Sequence, residues 1–143
     1  MSGSQQIPIL FIVGLSGAGK THLGQYLQDN LNFIHVEQDT ADGDVIDILG
    51  IRNEWDNYLH HNISLELGDS LRKMAKQENK YGLVMTFTSL VRFSLENVKC
   101  AEKAGIITRI LYGTKAECLN SYLEREQMTG RGYSRKRWAK YNN

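Results

Sequence analysis

Eight consecutive residues near the start of the chain have the types and spacing of a phosphate-binding loop. The pattern G-x-x-x-x-G-K-[ST] is matched at every fixed position by Gly14, Leu15, Ser16, Gly17, Ala18, Gly19, Lys20 and Thr21. Glycines let the backbone fold tightly around an anion and turn its N–H groups inward. We expect Lys20 to reach the β- and γ-phosphates of ATP and the Thr21 hydroxyl to bind Mg²⁺. The motif predicts a site for ATP and Mg²⁺, with Lys20 acting in catalysis.

The segments on either side of the loop are those that a phosphate-binding loop requires. Residues 7–13 form an apolar run rich in β-branched side chains, which is typical of a buried strand. Leu23, Leu27 and Leu31 follow at a spacing of four residues, on one face of a helix. A helix that begins at Lys20 would direct the positive end of its dipole toward bound phosphates. This context favours a nucleotide site over a glycine turn that only joins two elements.

Strand-like and helix-like segments alternate along the rest of the chain. Such alternation implies βαβ crossovers and a parallel sheet that helices cover on both faces. We predict an α/β fold, the three-layer α/β/α arrangement of P-loop NTPases with a short parallel sheet, as a single domain over residues 1–143. The predicted strands after the first are 33–37, 83–88 and 106–112, and the later helices lie near 55–74, 93–104 and 114–126, after an acidic connector at 39–47.

The longest helical pattern repeats an apolar side chain every four residues. We expect one long helix whose leucines, together with Trp55 and Tyr58, lie in the core. The repeat runs through Trp55, Leu59, Ile63, Leu67 and Leu71, with Met74 near the same face.

Composition excludes several function classes. Over 143 residues the formal net charge is +1, with 41% hydrophobic and 23% charged residues, so nothing global favours a nucleic acid or a membrane as partner. No signal peptide and no apolar run of about 20 residues is present, which predicts a cytoplasmic protein. Cys100 and Cys118 are expected to be free thiols. The histidines form no metal-ligand pattern, and His35 is expected to make a local polar contact.

Acidic and basic side chains near the predicted strand ends are candidates for the remaining chemistry. Asp39 follows the second strand, at the edge where open α/β sheets place their ligands. It could orient or deprotonate an acceptor hydroxyl and contact the metal, or it could be a solvated loop carboxylate. Glu37, Asp42 and Asp44 are weaker candidates for the same role. Arg52 and Arg92 are substrate candidates, since an acidic acceptor needs bidentate cations.

The chain resembles the small P-loop kinases, a group that includes gluconate, shikimate, adenylylsulfate and nucleoside monophosphate kinases. The phosphate loop carries the resemblance most specifically. Residues 33–39 resemble the second strand of the gluconate and shikimate types, which ends in an aspartate that faces the phosphoacceptor. Residues 85–92 resemble their third strand and the turn after it, where hydroxyls and an arginine hold substrate. Residues 123–126 with 130–132 resemble the entry to the family's lid.

This resemblance implies roles for further residues. Thr88 and Arg92 would contact the acceptor, and Asp39 would take the acidic role at the metal. Arg125 would act in catalysis, and Arg131 would bind the nucleotide from a lid over residues 126–140. Two departures from the family are present. Thr86, Thr88 and Ser89 stand where nucleoside monophosphate kinases carry an aspartate, and nothing after Arg131 has the pattern of a fifth strand.

These observations predict ATP- and Mg²⁺-dependent phosphoryl transfer to a hydroxyl of a small-molecule acceptor. Two alternatives stay open. A kinase of nucleotides or nucleic-acid 5′ ends is supported only by the basic residues between Arg131 and Lys140. A regulatory protein that binds ATP without turnover would fit the two departures from the family. The sequence predicts no oligomeric state.

Overall fold

The computed structural model describes residues 6–15, 18–38, 45–87, 94–111 and 114–129, without the side chains of residues 122 and 125–129. Its strands and helices alternate as the sequence predicts. In chain order they are β1 (Ile9–Gly14), α1 (Lys20–Leu31), β2 (Phe33–Gln38), α2 (Val45–Ile48), α3 (Arg52–His61), α4 (Leu65–Gln77), β3 (Gly82–Phe87), α5 (Leu95–Lys103), β4 (Ile106–Leu111) and α6 (Lys115–Thr129).

The described strands form a four-stranded sheet in the order β2-β3-β1-β4, and every pairing is parallel. Because all strands run the same way, their carboxyl ends share one edge of the sheet. The phosphate loop leaves that edge after Gly14, the last residue of the central strand β1. The parallel sheet and its order confirm the predicted α/β fold.

Helices cover both faces of the sheet. On one face, Leu27 of α1 packs against Ile12, Phe33 and Val84. On the other face, α3, α4 and α5 enclose the larger core, whose fully buried side chains include Phe11, Trp55, Tyr58, Leu67, Leu71 and Met85. The prediction that Trp55, Tyr58 and the leucines belong to the core is therefore confirmed. None of the helices in the described ranges is long and apolar enough to span a membrane.

Four aromatic rings form the centre of the larger core. Trp55 stacks on Phe87, with ring centroids 5.7 Å apart and an interplanar angle of 13°. Phe11 meets Phe87 edge-on at 5.1 Å and Tyr58 edge-on at 6.1 Å. Offset and edge-to-face pairs of this kind stabilise a core beyond the area they bury. They tie α3 to β1, which leads into the phosphate loop, and to its neighbour β3.

The prediction of one long helix over 55–74 is wrong, because the segment divides into α3 and α4. Asn62 ends α3 in the left-handed conformation, with φ 56°. The Asn97 side chain of α5 donates to the Asn62 side chain at 3.0 Å, and the Cys100 thiol donates to the Asn62 carbonyl at 2.6 Å. Ile63, which the four-residue repeat would bury, is 45% exposed. Contacts with α5 thus override a continuous helical pattern.

Two predicted boundaries also change. The acidic connector predicted at 39–47 ends in helical structure, because α2 begins at Val45 and buries Ile46 completely. At the start of α6, the Glu117 backbone N–H donates to the Thr114 hydroxyl at 3.1 Å. Residues 126–129 of the predicted lid belong to α6, and the rest of that segment lies outside the described residues.

Candidate active site

The phosphate loop approaches β4 so closely that its first residue must be glycine. A Cβ atom on Gly14 would lie 2.7 Å from the Leu111 carbonyl oxygen, closer than real Cβ contacts. At the other end of the loop, Gly19 has φ 96°, in the left-handed region that favours glycine. The two glycines allow the chain to turn from the buried strand β1 directly into α1.

Lys20 is the first residue of α1 and is 7% exposed. Its ammonium donates to the Gly14 and Leu15 carbonyls, both at 2.8 Å, so the side chain folds back over the loop. Gly19 precedes α1 without a side chain to cap it, and the first turn of α1 contains no acid. The N–H groups of a helix start attract anions when no side chain competes for them. The Lys20 ammonium and the start of α1 therefore both favour an anion at the loop.

Thr21, the predicted Mg²⁺ ligand, donates its hydroxyl to the Glu37 carboxylate of β2. The acid against the loop threonine is therefore Glu37, which from the sequence is a weaker candidate than Asp39. The alternation of β2 puts His35 and Glu37 on the same side of the strand, but only the packing of α1 on that side brings Glu37 to Thr21. A hydroxyl and a carboxylate are hard oxygen donors of the kind that Mg²⁺ prefers.

Within the described residues, no three or more His, Cys, Asp or Glu side chains gather so that they could hold a metal ion. Magnesium at phosphate sites is generally bound by one or two carboxylates, water and the phosphate oxygens themselves. Thr21 and Glu37 fit that smaller requirement. They would hold the ion only together with a bound polyphosphate.

His35 lies beside this pair, between α1 and β3. Its Nε2 is 2.9 Å from the hydroxyl of Thr86, which is buried, and its backbone N–H donates to the Gln28 side chain at 3.2 Å. Burial lowers the pKa of His35, while the Glu37 carboxylate opposes that shift. The predicted local polar contact of His35 is confirmed.

Helix α6 packs against the phosphate loop from outside the sheet. Cys118, which is buried, forms a small cluster with Leu15 and Ala18 of the loop and with Leu119 and Leu123 of α6. Burial raises the pKa of the Cys118 thiol, and the nearby Lys20 ammonium partly offsets the rise. The backbone of α6 continues past Leu123, the last residue of that cluster. Arg125 therefore lies less than one helical turn beyond the part of α6 that contacts the loop.

Arg52 opens α3, where two carboxylates bind it. Its Nε lies 2.8 Å from Asp47 and its Nη1 lies 3.4 Å from Asp56. An acidic acceptor would have to compete with both carboxylates for this guanidinium. The other predicted site residues, which are Ser16, Gly17, Asp39, Thr88, Arg92 and Arg131, lie outside the described residues, as does the side chain of Arg125.

Comparison with solved structures finds small kinases. A gluconokinase from Sinorhizobium meliloti 1021 aligns over 96% of this chain and 74% of its own, at 14% identity and a TM-score of 0.49. A shikimate kinase from Bacteroides thetaiotaomicron aligns over 93% and 73%, at 19% identity and a TM-score of 0.47. A shikimate kinase from Acinetobacter baumannii, solved in complex with shikimate, aligns over 94% of this chain and 72% of its own, at 18% identity and a TM-score of 0.48.

No family model matches the sequence, and no curated protein matches it. The solved structures are of the gluconate and shikimate kinase types, which are types of small P-loop kinase that this sequence resembles.

Proposed function

We propose that this protein is an ATP- and Mg²⁺-dependent kinase that transfers a phosphoryl group to a hydroxyl of a small metabolite. One observation carries the proposal: the Thr21 hydroxyl meets the Glu37 carboxylate at the start of α1, one residue from the buried loop lysine. Phosphoryl transfer requires little covalent chemistry from a protein; it requires positioning and positive charge. The described residues supply both at the carboxyl edge of the sheet.

Lys20 has the clearest role in this scheme. In the structure its ammonium donates to two neutral loop carbonyls. A hydrogen bond from an ammonium to a phosphate oxygen is stronger than one to a neutral carbonyl. We therefore expect the ammonium to turn toward the β- and γ-phosphates when ATP binds. It would then stabilise the charge that develops during transfer.

Thr21 and Glu37 would hold the metal, the first through its hydroxyl and the second through its carboxylate. Bound Mg²⁺ would neutralise charge on the β- and γ-phosphate oxygens. Because Glu37 already accepts a hydrogen bond from Thr21, the two oxygen donors need little rearrangement to serve one ion. Their preorganisation favours a metal-assisted site over simple anion binding.

The acceptor side of the proposal rests on residues beyond the described ranges. Asp39 directly follows β2, which ends at Gln38 on the same sheet edge as the phosphate loop. We assign it the orientation of the acceptor hydroxyl. Thr88 and Arg92, which come after β3 in the sequence, would contact the acceptor together with Arg52. Arg125 and Arg131 would stabilise the transferred group from the lid side.

A coupled ADP-release assay tests the proposal. ATP and Mg²⁺ would be supplied with separate pools of sugar acids, polyols, nucleosides and oligonucleotides. Release that requires the sugar-acid or polyol pool, and that is lost in Lys20→Ala but kept in the exposed-lysine control Lys76→Ala, supports the proposal. Release with nucleosides or oligonucleotides would favour the nucleotide or 5′-end kinase. Nucleotide binding without release in any pool would favour a regulatory protein.

A further inference from the structure

Helix α1 and strand β2 meet along a narrow strip in which each helix residue contacts a side chain or backbone group of the strand. Thr21 meets Glu37, Gly24 meets the imidazole of His35, and Gln28 accepts the backbone N–H of His35. Positions 21, 24 and 28 lie on one face of a helix. Positions 35 and 37 lie on one side of a strand. The strip therefore sets the distance between the loop threonine and the acid.

Gly24 is the point of closest approach in this strip. A Cβ atom there would lie 2.4 Å from Nε2 of His35, 2.6 Å from Cδ2 and 2.8 Å from Cε1. The imidazole thus rests against the helix backbone itself. Glycine inside a helix costs about 1 kcal/mol relative to alanine. The close approach of His35 gives a physical reason for that cost at position 24.

The imidazole cannot move aside freely, because its Nε2 also contacts a hydroxyl of β3. It lies 2.9 Å from the Thr86 hydroxyl, and Thr86 is 1% exposed. Thr86 is in register with both Glu37 on β2 and Ile12 on β1, the strand that leads into the phosphate loop. His35 therefore connects three elements: the helix that carries Thr21, the strand that carries Glu37 and the strand between β2 and β1.

We propose that His35 is a positioning residue that sets the spacing between α1 and β2 and thereby keeps the Thr21 hydroxyl on the Glu37 carboxylate. Gly24 provides the space for it, and Thr86 fixes its ring. This inference rests on the proposed function, in which Thr21 and Glu37 hold Mg²⁺. Loss of the spacing would weaken Mg²⁺ binding at the nucleotide and leave the backbone cradle for the phosphates in place.

The test compares ATP binding by calorimetry with excess Mg²⁺ and with EDTA. In Gly24→Ala the new methyl group would push α1 away from β2, and disturbing a residue that orients a metal ligand typically costs about 10–100-fold in metal affinity. We expect a loss in that range for ATP with Mg²⁺ and little change in EDTA. Gly68→Ala is the matched control in α4, away from α1 and β2: the Cβ atom there would approach the end of the flexible Arg72 side chain at 2.9 Å and the Ala104 carbonyl oxygen at 3.2 Å.

In the double variant Gly24→Ala/His35→Ala, the new methyl group occupies part of the space that the imidazole leaves, so the double variant should recover part of the Mg²⁺-dependent affinity that either single variant loses. If Gly24→Ala does not fold, His35→Ala alone provides the test, since it leaves space and should also weaken binding only when Mg²⁺ is present. The proposal is overturned by equal losses with and without Mg²⁺, or by a double variant no better than Gly24→Ala. A wild-type protein whose ATP binding is indifferent to Mg²⁺ would instead contradict the proposed function.

Discussion

Asn97 offers a stability prediction that the structure makes quantitative. This side chain is 5% exposed and joins α5 to the end of α3. Its Nδ2 donates to the Asn62 side chain at 3.0 Å, to the Tyr58 carbonyl at 3.1 Å and to the Leu59 carbonyl at 3.4 Å. Its Oδ1 accepts from the backbone N–H and hydroxyl of Ser94. The substitution Asn97→Asp keeps the shape and the acceptor but removes the donor.

The expected cost follows from the two shorter donor bonds. Leaving a buried acceptor without its donor costs about 1–3 kcal/mol, so two such losses give about 2–6 kcal/mol. An unfolding entropy of about 2.1 cal/mol/K per residue gives about 0.3 kcal/mol/K for a chain of 143 residues. The melting temperature should therefore fall by about 7–20 °C at pH 7.

The loss of stability should depend on pH, in a direction set by the difference between the folded and unfolded pKa of the introduced carboxyl. One oxygen of the introduced carboxyl keeps the Ser94 donors, but the other faces carbonyl oxygens in a buried site. We therefore expect folding to favour the protonated form, with a pKa in the folded state above the unfolded value of about 3.9. The penalty should be smallest below about pH 4, where both states are protonated and the carboxyl can donate one bond. It should grow as the pH rises from there toward 7.

Thermal melts followed by circular dichroism at pH 4 and pH 7 measure both effects. Asn53→Asp, at an exposed position of α3, is the control with the same chemical change. Its melting temperature should stay within about 2 °C of wild type, as is usual for surface substitutions. If the melting temperature of Asn97→Asp at pH 7 is as close to wild type as that of this control, the hydrogen bonds of Asn97 do not stabilise the end of α3.

Two further predictions concern residues that lie wholly or partly outside the described ranges. Asp39→Asn should lower kcat by about 10²-fold or more, the scale of a positioned acid–base group, and should change the affinity for ATP little. A normal kcat in steady-state kinetics would indicate that Asp39 is a solvated loop residue. Hydrogen exchange over residues 126–140 should slow when ATP and Mg²⁺ are added, and Arg125→Ala should reduce that protection; identical exchange with and without nucleotide would refute the lid.

The fold was predictable because local and global signals agree over most of the chain. Apolar strands alternate with amphipathic helices, and parallel pairing follows from that alternation. The exception is the division between α3 and α4. Ile63 continues the four-residue apolar repeat, and only the bonds that Asn62 receives from Asn97 and Cys100 show that the helix ends there. Those bonds join residues more than 30 positions apart, so no local pattern contains them.

The candidate site divides in the same way. Lys20 and Thr21 are predicted by their spacing from the loop glycines, because the backbone of the loop itself dictates that spacing. Glu37 is an exposed acid near a strand end, and such a residue has the same local pattern whether it is solvated or functional. Only the packing of α1 on β2 assigns it to Thr21. Gly24 likewise has no local pattern that marks it as special. Only the structure, in which the His35 ring lies against it, shows why position 24 needs a glycine.

The most direct measurement of the central claim is the calorimetric affinity of Lys20→Ala for ATP with Mg²⁺. Hydrogen bonds to a charged group contribute about 1.5–3 kcal/mol, so the variant should bind about 10–100-fold more weakly than wild type. Lys76→Ala, which removes an exposed ammonium from α4, should bind as wild type does, and circular dichroism should show all three proteins folded. Equal affinity of Lys20→Ala and wild type for ATP would contradict the assignment of residues 14–21 as the nucleotide site.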